Sequence, residues 1–196
     1  MDFSEQIDSE RIILKRPYPA TFQLAQELYD VVDKSRDTLR EWLPWVDLTH
    51  SAEAEYTNYL IDWCQKHWES EKGYAYVIYE KSTNKIIGTI DLFKIVKQDK
   101  SGEIGYWLSN DAVGHGYMQE AIKALQAEAF KLGFNRIVIG NDTTNARSVG
   151  VAKRAGYHLD GVMRQDCWDD FHNRFRDTNV WSLLKSEWEE KFGKEK

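Results

Sequence analysis

The chain has 196 residues, 42% of them hydrophobic, with two cysteines and a net charge of −6 from 26 basic and 32 acidic side chains. That length supports one packed domain spanning 1–196, with its core over about residues 10–188, and two cysteines make no disulfide framework. The acidic balance argues against the basic face that nucleic acid requires and favours amines or basic polypeptides as partners. No run of about 18 apolar residues suggests a membrane span or a leader, so a cytoplasmic protein with reduced thiols is expected.

In chain order, Arg11–Lys15 reads as a short strand stopped by Pro17 and Pro19, and Leu24, Ala25, Leu28 and Val32 mark the buried face of a helix. A longer helix is expected to begin at Ser51-Ala52-Glu53, to carry the stripe Tyr56, Leu60, Trp63, Cys64 and His67, and to end at Gly73. Two strands follow, Tyr74–Tyr79 and Lys85–Phe93, joined through Ser82-Thr83-Asn84. Gly102–Ser109 is a third strand-like run. Behind it, Asn110–Met118 contains Gly114 and Gly116, and Met118, Ala121, Ile122, Leu125, Ala129 and Leu132 recur at helical spacing up to Gly133. Asn135–Asn141 reads as a buried strand, Asn145–Tyr157 as a capped short helix ended by Gly156, and Tyr157–Trp168 with Arg174–Leu184 as a final hairpin. The fold class is mixed α+β. The expected sheet is twisted, largely antiparallel and of about seven strands, with helices on both faces and one parallel pair joined by the crossover helix over residues 113–132.

Two glycines one residue apart let backbone amides approach a ligand, and the helix behind them aims its free N–H groups and dipole into the same loop. An anion site is therefore expected. It is not a dinucleotide fingerprint, because Gln119 stands where a third glycine would be, and the P-loop lysine and hydroxyl are missing. No cysteine and histidine spacing suits zinc, so no metal is expected.

The stretch resembles the GNAT superfamily of acetyl-CoA-dependent N-acetyltransferases, and within it the branch that acetylates the N-terminal serine or alanine of ribosomal proteins. The pyrophosphate loop of that family falls on Val113-Gly114-His115-Gly116-Tyr117-Met118, although Val113 replaces the usual Gln or Arg and Met118 the usual small residue. A second motif falls on Asn145, Ser148, Val151, Gly156 and Tyr157, and a third on Leu39–Asp47. The resemblance implies a splayed parallel pair holding the pantetheine arm of acetyl-CoA, with CoA as product. Tyr106, Trp107 and Leu108 would pair with the arm through their backbones, and Asn145, with Asn141 before it, would hold it from the other side. It also implies Ser148 as hydrogen-bond donor to the leaving thiolate, since Ala152 occupies the position where many relatives have a tyrosine.

Glu103, on the strand before the loop, is the leading carboxylate for the base, and Asp142 and Asp166 are weaker candidates. Strand alternation would place Asp166 with Arg164 and Trp168 on one face, opposite Met163, Gln165 and Cys167. A free backbone amide near Leu108 would steady the oxyanion. Trp42, Trp45, Asp47 and Asp166 would wall the acceptor pocket, His115 would offer its backbone, and Cys167 is read as inert. Each assignment has a structural alternative: Ser148 as a surface hydroxyl, Glu103 as a solvated charge, the tryptophans as core. The acceptor is left open between a protein N-terminus, a small amine such as a polyamine, amino sugar or antibiotic, and no acceptor at all in a regulatory acyl-CoA-binding domain. An open strand edge at the last hairpin leads to the expectation of a homodimer.

Overall fold

The computed structural model describes residues 2–48, 50, 56 and 58–193. Eight strands form one sheet in the order β1-β2-β3-β4-β5-β6-β8-β7. They are β1 (Gln6–Asp8), β2 (Ile12–Lys15), β3 (Tyr74–Glu80), β4 (Lys85–Val96), β5 (Ser101–Leu108), β6 (Arg136–Asp142), β7 (His158–Asp169) and β8 (Arg174–Leu184). One strand more than expected is present, because β1 is only three residues long and carries no alternating apolar signal. Every pairing is antiparallel except β5 with β6.

Two apolar clusters sandwich the sheet. On one face, which we call the donor face, α4 (Tyr117–Lys131) buries Ala121, Ile122, Leu125 and Ala129 with Ile90, Leu92, Ile104, Ile137 and Ile139. Beside it lie α5 (Ala146–Arg154) and α6 (Lys185–Phe192), whose Trp188 packs 5.5 Å from Phe130. On the other, the acceptor face, α1 (Phe22–Lys34) buries Ala25, Leu28 and Val32 with Ala75 and Val77. Thr21 caps α1, accepting from the Leu24 N–H at 3.2 Å.

The anticipated second helix lies only partly within the described residues, its start at 51–55 falling outside them. Its described part is a π-helical turn, Tyr59–Gln65, followed by α3 (Lys66–Glu69). The helix ends before Gly73, because Glu71 takes the left-handed conformation with φ 54°. The crossover helix begins at Tyr117 rather than 113, since Gly114 and Gly116 hold φ of 90° and 82° and block an earlier start. Alternation along β7 also fails. Gln165 has φ 50° and the register shifts between Met163 and Cys167, so one side of the bulge is re-aimed relative to the other.

The parallel pair is splayed. β5 and β6 are in register only at Ser101–Glu103 with Arg136–Val138, while β5 continues to Leu108 and β6 to Asp142. Gly88 on β4 holds the far end of β5 in place. A Cβ there would run into the Trp107 carbonyl oxygen and approach the Leu108 side chain to 2.9 Å. Backbone cannot retreat as a flexible side chain does, so Gly88→Ala is expected to cost about 3 kcal/mol and to displace residues 107–108. Urea unfolding compared with wild type measures this; a loss under about 0.5 kcal/mol would contradict the close approach.

Candidate active site

The splay opens a cavity of about 740 Å³ lined by Ile104–Leu108 of β5, Gly140–Asp142 of β6, the loop around Gly114 and Gly116, and Asn145–Ser148. Backbone direction follows from two hydrogen bonds. Ser109 N donates to Ile87 O at 2.8 Å, toward β4, and Lys100 O accepts from Asn135 N at 2.7 Å, toward β6. Alternation then turns the N–H and C=O of Tyr106 and Leu108 into the gap and those of Trp107 toward β4. An extended ligand would meet two of the three residues expected to pair with it. At the end of the gap, Glu120 N makes the first intrahelical bond of α4, to Gly116 O at 3.2 Å, which leaves the Tyr117, Met118 and Gln119 N–H groups pointing out of the helix start.

Ser148 stands on the donor face at the centre of a hydrogen-bond network. Asn145 caps α5, its Oδ1 accepting from Ser148 N at 3.0 Å. Asn141 is buried, and its Oδ1 accepts from Asn179 Nδ2 at 3.1 Å and Trp181 Nε1 at 3.3 Å. Those two donors orient the amide, so its Nδ2 is the group directed at Ser148 Oγ, at 3.3 Å. The Tyr106 hydroxyl is 2.9 Å from the same Oγ. Burial pushes the Tyr106 phenol up to about 12, with the Ser148 hydrogen bond opposing the rise, so it keeps its proton at neutral pH.

The acceptor face carries the carboxylates. Glu103 lines the cavity, pairs with Lys94 at 2.8 Å, and would lie 3.3 Å from a Cβ at Gly140. Asp91 was not foreseen. It sits on β4 opposite Gly105, whose missing side chain leaves room for the carboxylate; a Cβ there would be 3.2 Å from Asp91 Oδ1. Burial first and the Glu103 charge second raise Asp91 to about 7, against a hydrogen bond from Trp63. The arrangement therefore separates proton donors on one face from carboxylates on the other, with the gap between them. That suits transfer of a group between two ligands arriving from opposite sides.

Residues 11–158 match the Acetyltransferase (GNAT) domain family. The chain belongs to the GNAT acetyltransferase family. Among relatives of this GNAT chain is the ribosomal-protein-serine acetyltransferase of Escherichia coli (strain K12), 30% identical over 153 residues, covering 73% of this chain and 81% of the relative. Its fold matches that of RimL, the ribosomal L7/L12 alpha-N-protein acetyltransferase, solved in complex with coenzyme A, with TM-score 0.84 and 24% identity over 93% of this chain and 99% of the other. It also matches the microcin C7 self-immunity acetyltransferase MccE, solved with acetyl-CoA and AMP, with TM-score 0.81 and 24% identity over 89% and 93% of the two chains.

Of the residues expected in a GNAT site, Glu103, Tyr106, Trp107, Leu108, Val113, Gly114, Gly116, Tyr117, Met118, Asn141, Asp142, Asn145 and Ser148 line the cavity, as does Trp42. The Tyr117 hydroxyl itself donates to Glu80. Others stand apart: the His115 carbonyl accepts from Arg11 Nη1 at 2.8 Å, and Asp166 is exposed outside the cavity lining. Trp45 packs 6.4 Å from Trp107 behind the wall, and Asp47 pairs with Arg40 at 3.1 Å. Ser35, between α1 and α2 (Arg36–Leu39), and Thr38 within α2 brace the wall through Asn110: Asn110 N donates to Ser35 Oγ at 3.1 Å and Thr38 Oγ1 donates to Asn110 Oδ1. Sequence patterns missed Asn179, Trp181 and the Tyr106 hydroxyl, because their roles arise from cross-strand and cross-layer contact.

Proposed function

We propose that this chain transfers acetyl from acetyl-CoA to the N-terminal α-amine of a protein, most simply a ribosomal protein beginning with serine or alanine, in the cytoplasm. The observation that carries the reading is the Ser148 network facing the gap from the donor face while Glu103 faces it from the other. The residues present fit acetyl-CoA: gap-facing N–H groups at Tyr106 and Leu108 suit its arm, and the Gly114–Gly116 loop with the open start of α4 suits its phosphates. When bound, acetyl-CoA supplies the thioester that gives up the acetyl group.

The chain's own groups do the rest. An N-terminal amine has a pKa near 7.7–8.0 against about 10.4 for lysine, so a carboxylate such as Glu103 need take only one loosely held proton. The Leu108 N–H lies in the gap where negative charge would collect on a carbonyl oxygen. Ser148 Oγ accepts from Asn141 Nδ2, and with the Tyr106 hydroxyl turned to donate to it as well, its own hydrogen would be free for the departing sulfur. The two cysteines, both free, take no part. A 30% identical relative named for acetylating ribosomal-protein serine supports the acceptor class.

The test is thiol release from acetyl-CoA in the presence of serine- and alanine-initiated peptides, polyamines and aminoglycosides, with product mass confirming the acetylated amine. Peptide-dependent release is expected. Release only with polyamines or aminoglycosides would replace the acceptor and keep the chemistry, and saturable acetyl-CoA binding without release on any amine would favour a regulatory acyl-CoA-binding role.

A further inference from the structure

Most charged groups around the cavity have partners or solvent. Glu103 has Lys94, and Arg147 and Arg154 are exposed. Arg176 differs. It lines the cavity from β8, yet its Nε is closed off from solvent without a hydrogen bond, and its Nη2 reaches only Cys167 Sγ, at 3.6 Å. Among the described residues no carboxylate lies within ion-pair distance of it. A half-buried guanidinium whose Nε is shut off from water without a hydrogen bond is costly unless something else meets it.

Its position says what. Gly140 fixes the face, since a Cβ there would stand 3.3 Å from Glu103 Oε1 and 3.7 Å from Thr178 Cγ2. Arg176 is two residues from Thr178 on the same strand and so shares that face, the one that carries Glu103. Asp142, directly opposite Thr178, lines the same cavity with Oδ2 buried and without a hydrogen bond, its nearest cation being Arg174 at 3.7 Å. The wall thus presents a carboxylate oxygen without a hydrogen bond and a planar donor with an unpaired Nε at diagonal strand positions about 7 Å apart.

Resting on the acetyl-transfer reading, we infer that Arg176 binds a carboxylate carried by the acceptor close to its reacting amine, so that the preferred substrate is a peptide N-terminus with an acidic second residue. A span of about 7 Å fits an α-amine and the side-chain carboxylate of the next residue, and a guanidinium fork is matched to a carboxylate. Free acidic amino acids offer the same chemistry from another source.

The experiment compares kcat/KM on matched peptide pairs, Ser-Asp against Ser-Asn and Ala-Glu against Ala-Gln, and on free aspartate and glutamate. Wild type, Arg176→Gln and Arg176→Lys are used, with calorimetric peptide binding to the CoA-bound protein in parallel. Wild type is expected to favour the acidic member by roughly tenfold or more, chiefly through KM and Kd; Arg176→Gln should bring the ratio to about one, and Arg176→Lys should leave it between. Equal use of acidic and neutral peptides by wild type, or a preference that survives in Arg176→Gln, overturns the inference and leaves N-terminal acetylation standing. Arg176-dependent use of the free amino acids alone keeps the carboxylate contact and removes the peptide. Neither turnover nor calorimetric binding with any of these acceptors overturns both.

Discussion

Ser148→Ala is expected to lower kcat by about 10²-fold while leaving acetyl-CoA binding within a few-fold, the size of effect typical of losing a positioned proton donor. The serine hydroxyl is the only part of that side chain aimed at the gap, and its backbone N–H, which Asn145 Oδ1 caps at 3.0 Å, survives the substitution. Helix α5 should therefore keep its start. Tyr106→Phe is the sharper probe of how the serine works. If Tyr106 donates to Ser148 across their 2.9 Å contact and so frees the serine hydrogen, its loss should cost about tenfold. The double variant should then be no worse than Ser148→Ala, because the tyrosine acts only through the serine. Single-turnover rates on the peptide series measure all three. Additive losses would show that the tyrosine has a separate role, and an unchanged rate in Ser148→Ala would remove the serine from the chemistry.

The second large effect concerns stability and its dependence on pH. Burial first and the Glu103 charge second raise Asp91 to about 7 in the folded chain, against about 3.9 for an ordinary aspartate. Between those values the folded chain holds a proton that the unfolded chain has lost. Stability therefore falls as pH rises from about 4 to about 7 and stays lowered above that; the size is about 2–4 kcal/mol at one pKa unit per 1.36 kcal/mol, less some screening. Asn at this position cannot ionise. Asp91→Asn should thus gain on wild type by about 2 kcal/mol between pH 5 and pH 8, whatever the offset between them at pH 5. Urea unfolding of both proteins at the two pH values gives the difference, and a constant gap would mean that Asp91 is ionised throughout. The cost of keeping this carboxylate beneath the acceptor face is the kind of strain that functional sites retain.

Local patterns and chain order carried much of the fold. The crossover helix, its end at Gly133 and the strand after it were legible because apolar spacing and glycine positions report secondary structure directly. The glycine turn at Gly114 and Gly116 was legible for the same reason, as was the cap that Asn145 places on α5. What was misread depended on something outside the local window. Residues 6–8 form a strand only because β2 offers an edge, Glu71 rather than Gly73 ends a helix through a left-handed turn that composition does not favour, and a bulge at Gln165 cancels a simple alternation on β7.

The site divides along the same line. Sequence alone supplied the candidates for its chemistry and its anchor points, namely the Gly114–Gly116 loop, the Ser148 register and the Glu103 strand, since each belongs to a short contiguous motif. Only the tertiary structure decided which faces they occupy. The orientation of Asn141 depends on Asn179 and Trp181 from β8, Tyr106 meets Ser148 across two layers, and Asp91 acquires its proton affinity from burial and from the Glu103 charge on β5, against a hydrogen bond from Trp63. Hydrogen-bond direction and desolvation are properties of neighbours in space, and the residues between those neighbours in the chain carry no local signal of them.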